Sequence, residues 1–154
     1  MKLSKNLSLA EFIKSNTADR RGLDNSVPEH LLPSAVALAE IIFQPIRDHF
    51  GTPIYISSGF RSGPLNEAIG GSKTSQHSFA EAIDIDMDHR RGPENEDIFY
   101  YIKDNLPFDQ LIWEFGTDER PNWVHVSYNP AGDQRGQVLR AVKRDGRTKY
   151  ELFS

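Results

Sequence analysis

Ser75-Gln76-His77-Ser78-Phe79-Ala80-Glu81-Ala82-Ile83-Asp84-Ile85-Asp86 is the stretch around which the rest of the chain is read. A histidine leads it, and a carboxylate follows seven residues later. Its second half alternates, with Ile83, Ile85 and Met87 at one parity and Asp84, Asp86 and Asp88 at the other. That is the period of a strand. Burying the Ile/Met face is expected to leave all three aspartates on the opposite face. Trp123-Val124-His125-Val126-Ser127 alternates in the same way, with Val124 and Val126 on one face and His125 on the other. His77, Asp84 and His125 together make a set of two histidines and one carboxylate. Three protein ligands leave the fourth position of a tetrahedral zinc open to water, which is the catalytic type of site.

Composition narrows the alternatives. A chain of 154 residues is one domain of ordinary size and can bury a core without staples. Its net charge is -4 with both signs interspersed. No basic stripe or polybasic helix is present, so neither nucleic-acid binding nor membrane insertion is expected. The chain has no cysteine, which excludes disulfides, thiolate-held zinc and thiol nucleophiles. Any metal must be held by His, Asp or Glu. The segment Met1 to Leu7 lacks the apolar core of a signal peptide, and no apolar run could span a bilayer. Synthesis in the cytoplasm is expected, with release by another agent if the substrate lies outside.

The remaining elements follow from local signals. Ser8-Leu9-Ala10-Glu11 reads as a capping box opening a short helix to about Lys14. The polar run from Asn16 to Asn25 reads as a loop. Leu32, Ala35, Val36, Ala39, Ile42, Phe43, Ile46 and Phe50 fall at helical spacing, and Pro45 is expected to kink or split that helix. Ile54–Ser57 reads as a short strand, Pro64–Ile69 as a helical turn and Ala82–Asp88 as a strand. A second helix is expected over Glu94–Leu106, with Ile98, Tyr101, Ile102 and Leu106 on its buried side. Gln110–Phe115 and Trp123–Tyr128 read as strands. Val138–Lys143 and Lys149–Phe153 flank Asp145-Gly146, a hairpin signal. The expected fold is a single α+β domain with a mainly antiparallel sheet and two main helices.

Several blocks resemble the M15 zinc peptidases. They are Ser57-Ser58-Gly59-Phe60-Arg61-Ser62, then Ser75-Gln76-His77 with Ala82 and Asp84, then Trp123-Val124-His125-Val126. Ser8-Leu9-Ala10-Glu11-Phe12 and the Asn66…Gly70-Gly71-Ser72 run resemble the D-Ala-D-Ala carboxypeptidase-like branch. The resemblance covers roughly residues 8 to 128 and leaves the last hairpin, 138–153, outside. It implies a hedgehog/D-Ala-D-Ala peptidase-like fold and one zinc held by His77, Asp84 and His125. It also implies hydrolysis of peptide bonds in peptidoglycan stem peptides, by a carboxypeptidase or by an endolysin-type endopeptidase. The lack of a signal peptide fits a phage or prophage lysis enzyme that reaches the wall after release.

Two positions depart from the family pattern. Ala80 stands where the family often has glycine, three residues after the first histidine. Asn122 stands three residues before the last histidine, where many members carry an acidic base, and an amide cannot take a proton from water. By its likeness to the site glutamate of the hedgehog domain, Glu114 is the replacement base, with Glu119 as the alternative. Arg61 is expected on the substrate's carboxylate or carbonyl, since a guanidinium forks two hydrogen bonds. Ser75 is either a substrate or ligand contact or a plain loop serine. Asp86 and Asp88 are read as solvent-facing or supporting groups. His30, His49 and His89 have no partner pattern. Phe60, Trp113, Trp123 and Tyr128 are read as core aromatics or as walls of a peptide cleft. The rival to an enzyme is a zinc-stabilised module that binds wall peptides without cutting them.

Overall fold

The computed structural model describes residues 1–154 and sets the quoted stretch inside a six-stranded sheet. In chain order the elements are β1 (Lys2–Ser4), β2 (Leu7–Ser8), α1 (Leu9–Ile13), α2 (Asn16–Arg21), α3 (Leu32–Leu38), α4 (Gln44–Phe50), β3 (Ile56–Ser58), α5 (Gly63–Ala68), β4 (Ala82–Ile85), α6 (Asn95–Asn105), β5 (Gln110–Glu114), β6 (Trp123–Ser127), β7 (Gln137–Arg144) and β8 (Arg147–Leu152). The large sheet runs β3-β4-β6-β5-β7-β8, and β1 and β2 form a separate pair. β5 and β7 are parallel, and every other neighbouring pair is antiparallel. The single domain is therefore α+β with a mixed sheet. The parallel pair arises because the chain passes the start of β5 before entering β7. Arg135 fixes that passage with a bidentate grip on Asp109, and the Gln137 amide donates to the Asp109 carbonyl.

The two faces of the sheet have different fates. Ile83, Ile85, Leu111, Trp113, Val124 and Val126 join the main core with Leu38, Ile42, Phe43 and Ile46 from the α3–α4 region. Ile98, Phe99 and Ile102 of α6 complete it. Each such side chain contributes roughly 1.5–3 kcal/mol on burial. The other face carries Asp84, Glu114 and His125 beside a small apolar patch of Ile112, Leu139 and Ala141.

The helix around Pro45 is split, as its proline demands. A turn of 3-10 helix, Glu29–Leu31, leads into α3, and a π segment, Ala39–Phe43, separates α3 from α4. Proline offers no N–H and crowds the carbonyl four residues back. The chain widens just ahead of it, and the Gln44 amide reaches Ala39, five residues back. α6 matches its expected span with Glu94 and Leu106 as its caps, and it also buries Phe99.

Two readings of the sequence need correction. Residues 16–21 form α2 rather than a loop. Ser15 Oγ accepts from the Ala18 amide at 3.1 Å, and Gly22 closes the helix at φ 64. Polar residues there obscured a capped helix whose contact with the core is one alanine, Ala18. The strand at Asp84 also stops at Ile85, so the three aspartates do not share a face. The Asp86 amide still bonds the Tyr55 carbonyl in the β3–β4 register, but its carboxylate accepts from the Asp88 amide and from Asn95 Nδ2. Asp86 thereby ties this turn to the start of α6, and Asp88 is exposed.

Candidate metal centre

His77 is set by a short turn and a neighbouring carbonyl. Gln76–Phe79 is a 3-10 turn whose first amides are capped by Ser75, with Oγ accepting from the His77 amide at 3.3 Å. Ser75 therefore positions the histidine's backbone. His77 Nδ1 lies 2.7 Å from the Gly59 carbonyl oxygen. A carbonyl only accepts, so Nδ1 carries a proton, and Nε2 is the nitrogen that faces Asp84 and can ligate a metal when unprotonated. Gly59 can stand there only as glycine, because a Cβ would collide with the Phe12 carbonyl oxygen and ring. Upstream, Asn66 Nδ2 donates to the Ser72 carbonyl, and Gly71 packs where a Cβ would strike the Asn66 amide. That clamp shapes the loop leading to His77. Ala80 ends the turn at φ 58, buried, in the conformation that suits the family's glycine better than its own Cβ.

Asp84 and His125 are brought together by strand register, since they sit directly opposite each other across β4 and β6. Asp84 Oδ1 lies 3.0 Å from His125 Nδ1 and 3.3 Å from His77 Nε2. Its other oxygen accepts from Arg61 Nη2 at 3.2 Å, while Arg61 Nε donates to Ser58 Oγ at 3.0 Å. Burial alone would raise the Asp84 pKa, but the charges and hydrogen bonds of His77 and His125 outweigh it. The carboxylate is held well below the usual range.

The one cluster with metal-ligand composition is this one, with ligand atoms of His77, Asp84 and His125 all within 4.8 Å of one another. Bonds of about 2.0–2.1 Å to a tetrahedral zinc place its ligand atoms roughly 3.3 Å apart. The two measured separations to Asp84 are of that size, and the Gly59 carbonyl fixes the required tautomer of His77. The donor set fits zinc.

Glu114 closes β5, where its strand partner is Trp123 and Ile112 is opposite His125. It is 7% exposed. Burial pushes its pKa up to about 7, with the His125 charge opposing, the Asp84 charge adding and the Arg61 charge opposing. Burial and charge alone account for that shift; no hydrogen bond contributes. Phe115 follows at φ 57 and Gly116 at φ 75, and this bend ends the strand beside the carboxylate. Asn122 is bound through its backbone, its amide to the Glu114 carbonyl and its carbonyl to Asn95 Nδ2.

The other candidates separate cleanly. Glu119 is exposed in the β5–β6 connection, its amide on Thr117 Oγ1, and it does not join the cluster. His49 stacks on Tyr101 at 4.1 Å, remote in role from the site. His30 and His89 are exposed. Phe60 and Trp113 are core, Tyr128 packs against the core, and Trp123 tilts against Phe115 at 5.6 Å. Beyond Arg61 lies a cleft of about 320 Å³ whose lining includes Lys14, Ser15, Tyr55, Ser58 and Ile69. Sequence reasoning missed the Gly59 carbonyl and Ser58 as supports. Only their membership of the Ser57–Ser62 block could have signalled them, since a carbonyl leaves no side-chain trace.

No curated protein matches the chain. A family model described as Peptidase M15 matches residues 5–127, a span that holds all three clustered residues, Arg61 and Glu114 and stops short of the β7–β8 hairpin. With most of its length covered by that match, the chain belongs to the M15 peptidases, a family of zinc-dependent metallopeptidases.

Proposed function

We propose that this protein hydrolyses peptide bonds in peptidoglycan stem peptides, with His77, Asp84 and His125 holding one zinc and Glu114 as the catalytic base. The observation that carries this reading is the buried Glu114 carboxylate, with no hydrogen bond contributing to its pKa, within the field of Asp84, His125 and Arg61. A carboxylate kept near neutral pKa by burial can both accept and return a proton at working pH. Zinc held by the three ligands supplies a Lewis acid that makes water nucleophilic near neutral pH.

The chain's own residues do the rest. Glu114 takes a proton from the attacking water as its oxygen bonds to the scissile carbonyl carbon. It then delivers that proton to the departing nitrogen as the C–N bond breaks, so the atoms balance. Arg61 spends one donor on Ser58 and one on Asp84, which leaves others for a substrate carbonyl or carboxylate. Ser75 acts by holding the His77 turn.

The test is incubation of the purified protein with zinc and muropeptides, followed by mass spectrometry for newly freed amines. Cleavage that is lost on chelation and restored by zinc supports the reading. Binding of muropeptides without any new amine would replace the peptidase with a wall-binding module.

A further inference from the structure

The C-terminal hairpin lies outside the span matched to the family, yet its register carries it onto the site face. Glu114 is paired with Ala141 of β7, and Ala141 is paired with Tyr150 of β8. One row away, His125, Ile112, Leu139 and Leu152 are paired in the same sequence across β6, β5, β7 and β8. Paired residues project from the same face, and the packing of Ile112 on Leu139 and Ala141 agrees. Tyr150 and Leu152 are 57% and 79% exposed, so two large side chains stand uncovered on this face, two strands from β5. The Tyr150 phenol is close enough to feel both carboxylates. After partial burial, the Glu114 and Asp84 charges raise its pKa.

We infer that β7 and β8 form the shelf for the part of the peptide that departs, with Tyr150 as its main contact. This rests on the peptidase reading above. Glu114 protonates the leaving nitrogen, so the chain attached to that nitrogen extends past Glu114, away from Asp84. In that direction the sheet offers Ala141 and Leu139, then Tyr150 and Leu152. Arg61 lies on the opposite side of the cluster, where β3 is the edge strand. β8 is two strand spacings beyond β5, roughly 10 Å, or about three residues of extended chain. A single departing amino acid does not cover that shelf. The shelf therefore points to cleavage inside a peptide, with a leaving segment of two or more residues, rather than removal of one terminal residue. The tyrosine suits this role because it offers a ring for packing and a hydroxyl for a peptide carbonyl.

The experiment compares parent, Tyr150→Ala, Leu152→Ser and Lys149→Ala on a synthetic stem pentapeptide and on cross-linked muropeptides. Lys149 is exposed on the same strand at the opposite parity and serves as the control. Product masses report the bond cut, and calorimetry on a Glu114→Gln background reports binding without turnover. The expected result is a leaving fragment of at least two residues. Tyr150→Ala should weaken binding and raise KM by about tenfold, as for a lost aromatic anchor, with zinc content and melting temperature unchanged. Lys149→Ala should match the parent. Release of single amino acids only, or Tyr150→Ala binding as tightly as its background, overturns the shelf and leaves the peptidase standing. Neither binding nor cleavage of any wall peptide by the parent overturns both.

Discussion

At the scale of single residues, the proposed chemistry divides between three groups that would hold a cation and one that would handle protons. His77→Ala or His125→Ala should abolish stoichiometric zinc, whereas His49→Ala, which removes ring contacts with Tyr101 and Phe50, should keep it. Elemental analysis of the three purified variants decides this. Equal metal in all of them would end the zinc assignment. Glu114→Gln should retain zinc and fold while turnover falls roughly a hundred- to ten-thousand-fold. Glu119→Gln should turn over like the parent. The raised pKa of Glu114 also has a consequence for stability in the metal-free protein. A carboxyl that titrates near 4.5 when unfolded and at about 7 when folded favours folding below pH 4.5. That advantage is lost as pH rises through about 7, where the buried charge costs on the order of 3 kcal/mol. In the presence of chelator, Glu114→Gln should therefore melt higher than the parent at pH 8 and level with it near pH 4.5. A difference that does not change with pH would show that the carboxyl's titration is not the cause.

At the scale of elements, the site depends on one register and one close approach. The β4–β6 pairing sets Asp84 against His125, and a slip of either strand by one residue would turn its site residue to the other face. The approach is that of Gly59 to Phe12, where the Phe60 amide also binds the Phe12 carbonyl at 2.9 Å. Gly59→Ala must push the Ser57–Ser62 block away from α1 and carry the carbonyl that orients His77 with it. The expected outcome is a lower melting temperature together with a zinc affinity reduced about 10- to 100-fold, the usual effect of losing a group that orients a ligand. Thermal melts and competition with a chromophoric chelator measure the two. Unchanged zinc affinity in a destabilised variant would separate the carbonyl from the metal site.

At the scale of the whole molecule, the hairpin that follows the family-matched region is part of the fold. The first five residues of β7 pair with the whole of β5, and Leu139 and Ala141 are buried against Ile112. Phe153 closes the far face, with ring centroids 4.8 Å from Phe99 and 5.6 Å from Trp113. A chain ending after Tyr128 would leave β5 as an unpaired edge and uncover Trp113. It should be recovered as aggregate or unfolded chain, and a soluble form with the parent's circular dichroism would contradict this. Phe153→Ala should destabilise by about 2–4 kcal/mol in denaturant melts, somewhat less than a fully buried phenylalanine because Phe153 keeps partial exposure.

The alternation of Ile83, Asp84 and Ile85, and of Val124, His125 and Val126, was enough to assign the strands and the faces of Asp84 and His125, because a period of two is written in adjacent residues. The capping box at Ser8 and the split at Pro45 were legible for the same reason, since each acts within a turn or two of itself. The end of the Asp84 strand was not local. It depends on Asn95, 9 residues away, and on the turn at Asp88 drawing the Asp86 carboxylate aside. The helix at Asn16 was hidden because its signals are two caps around a polar run with one buried alanine. Glu114 was named by likeness to a related site. Only the tertiary structure shows that its carboxylate is buried and lies in the field of Asp84 and His125, because burial and charge there come from strands far apart in sequence. The place of Tyr150 on the face of Glu114 was beyond any local pattern: it follows from the parallel pairing of β5 with β7, and a register between distant strands is decided by how the whole sheet packs.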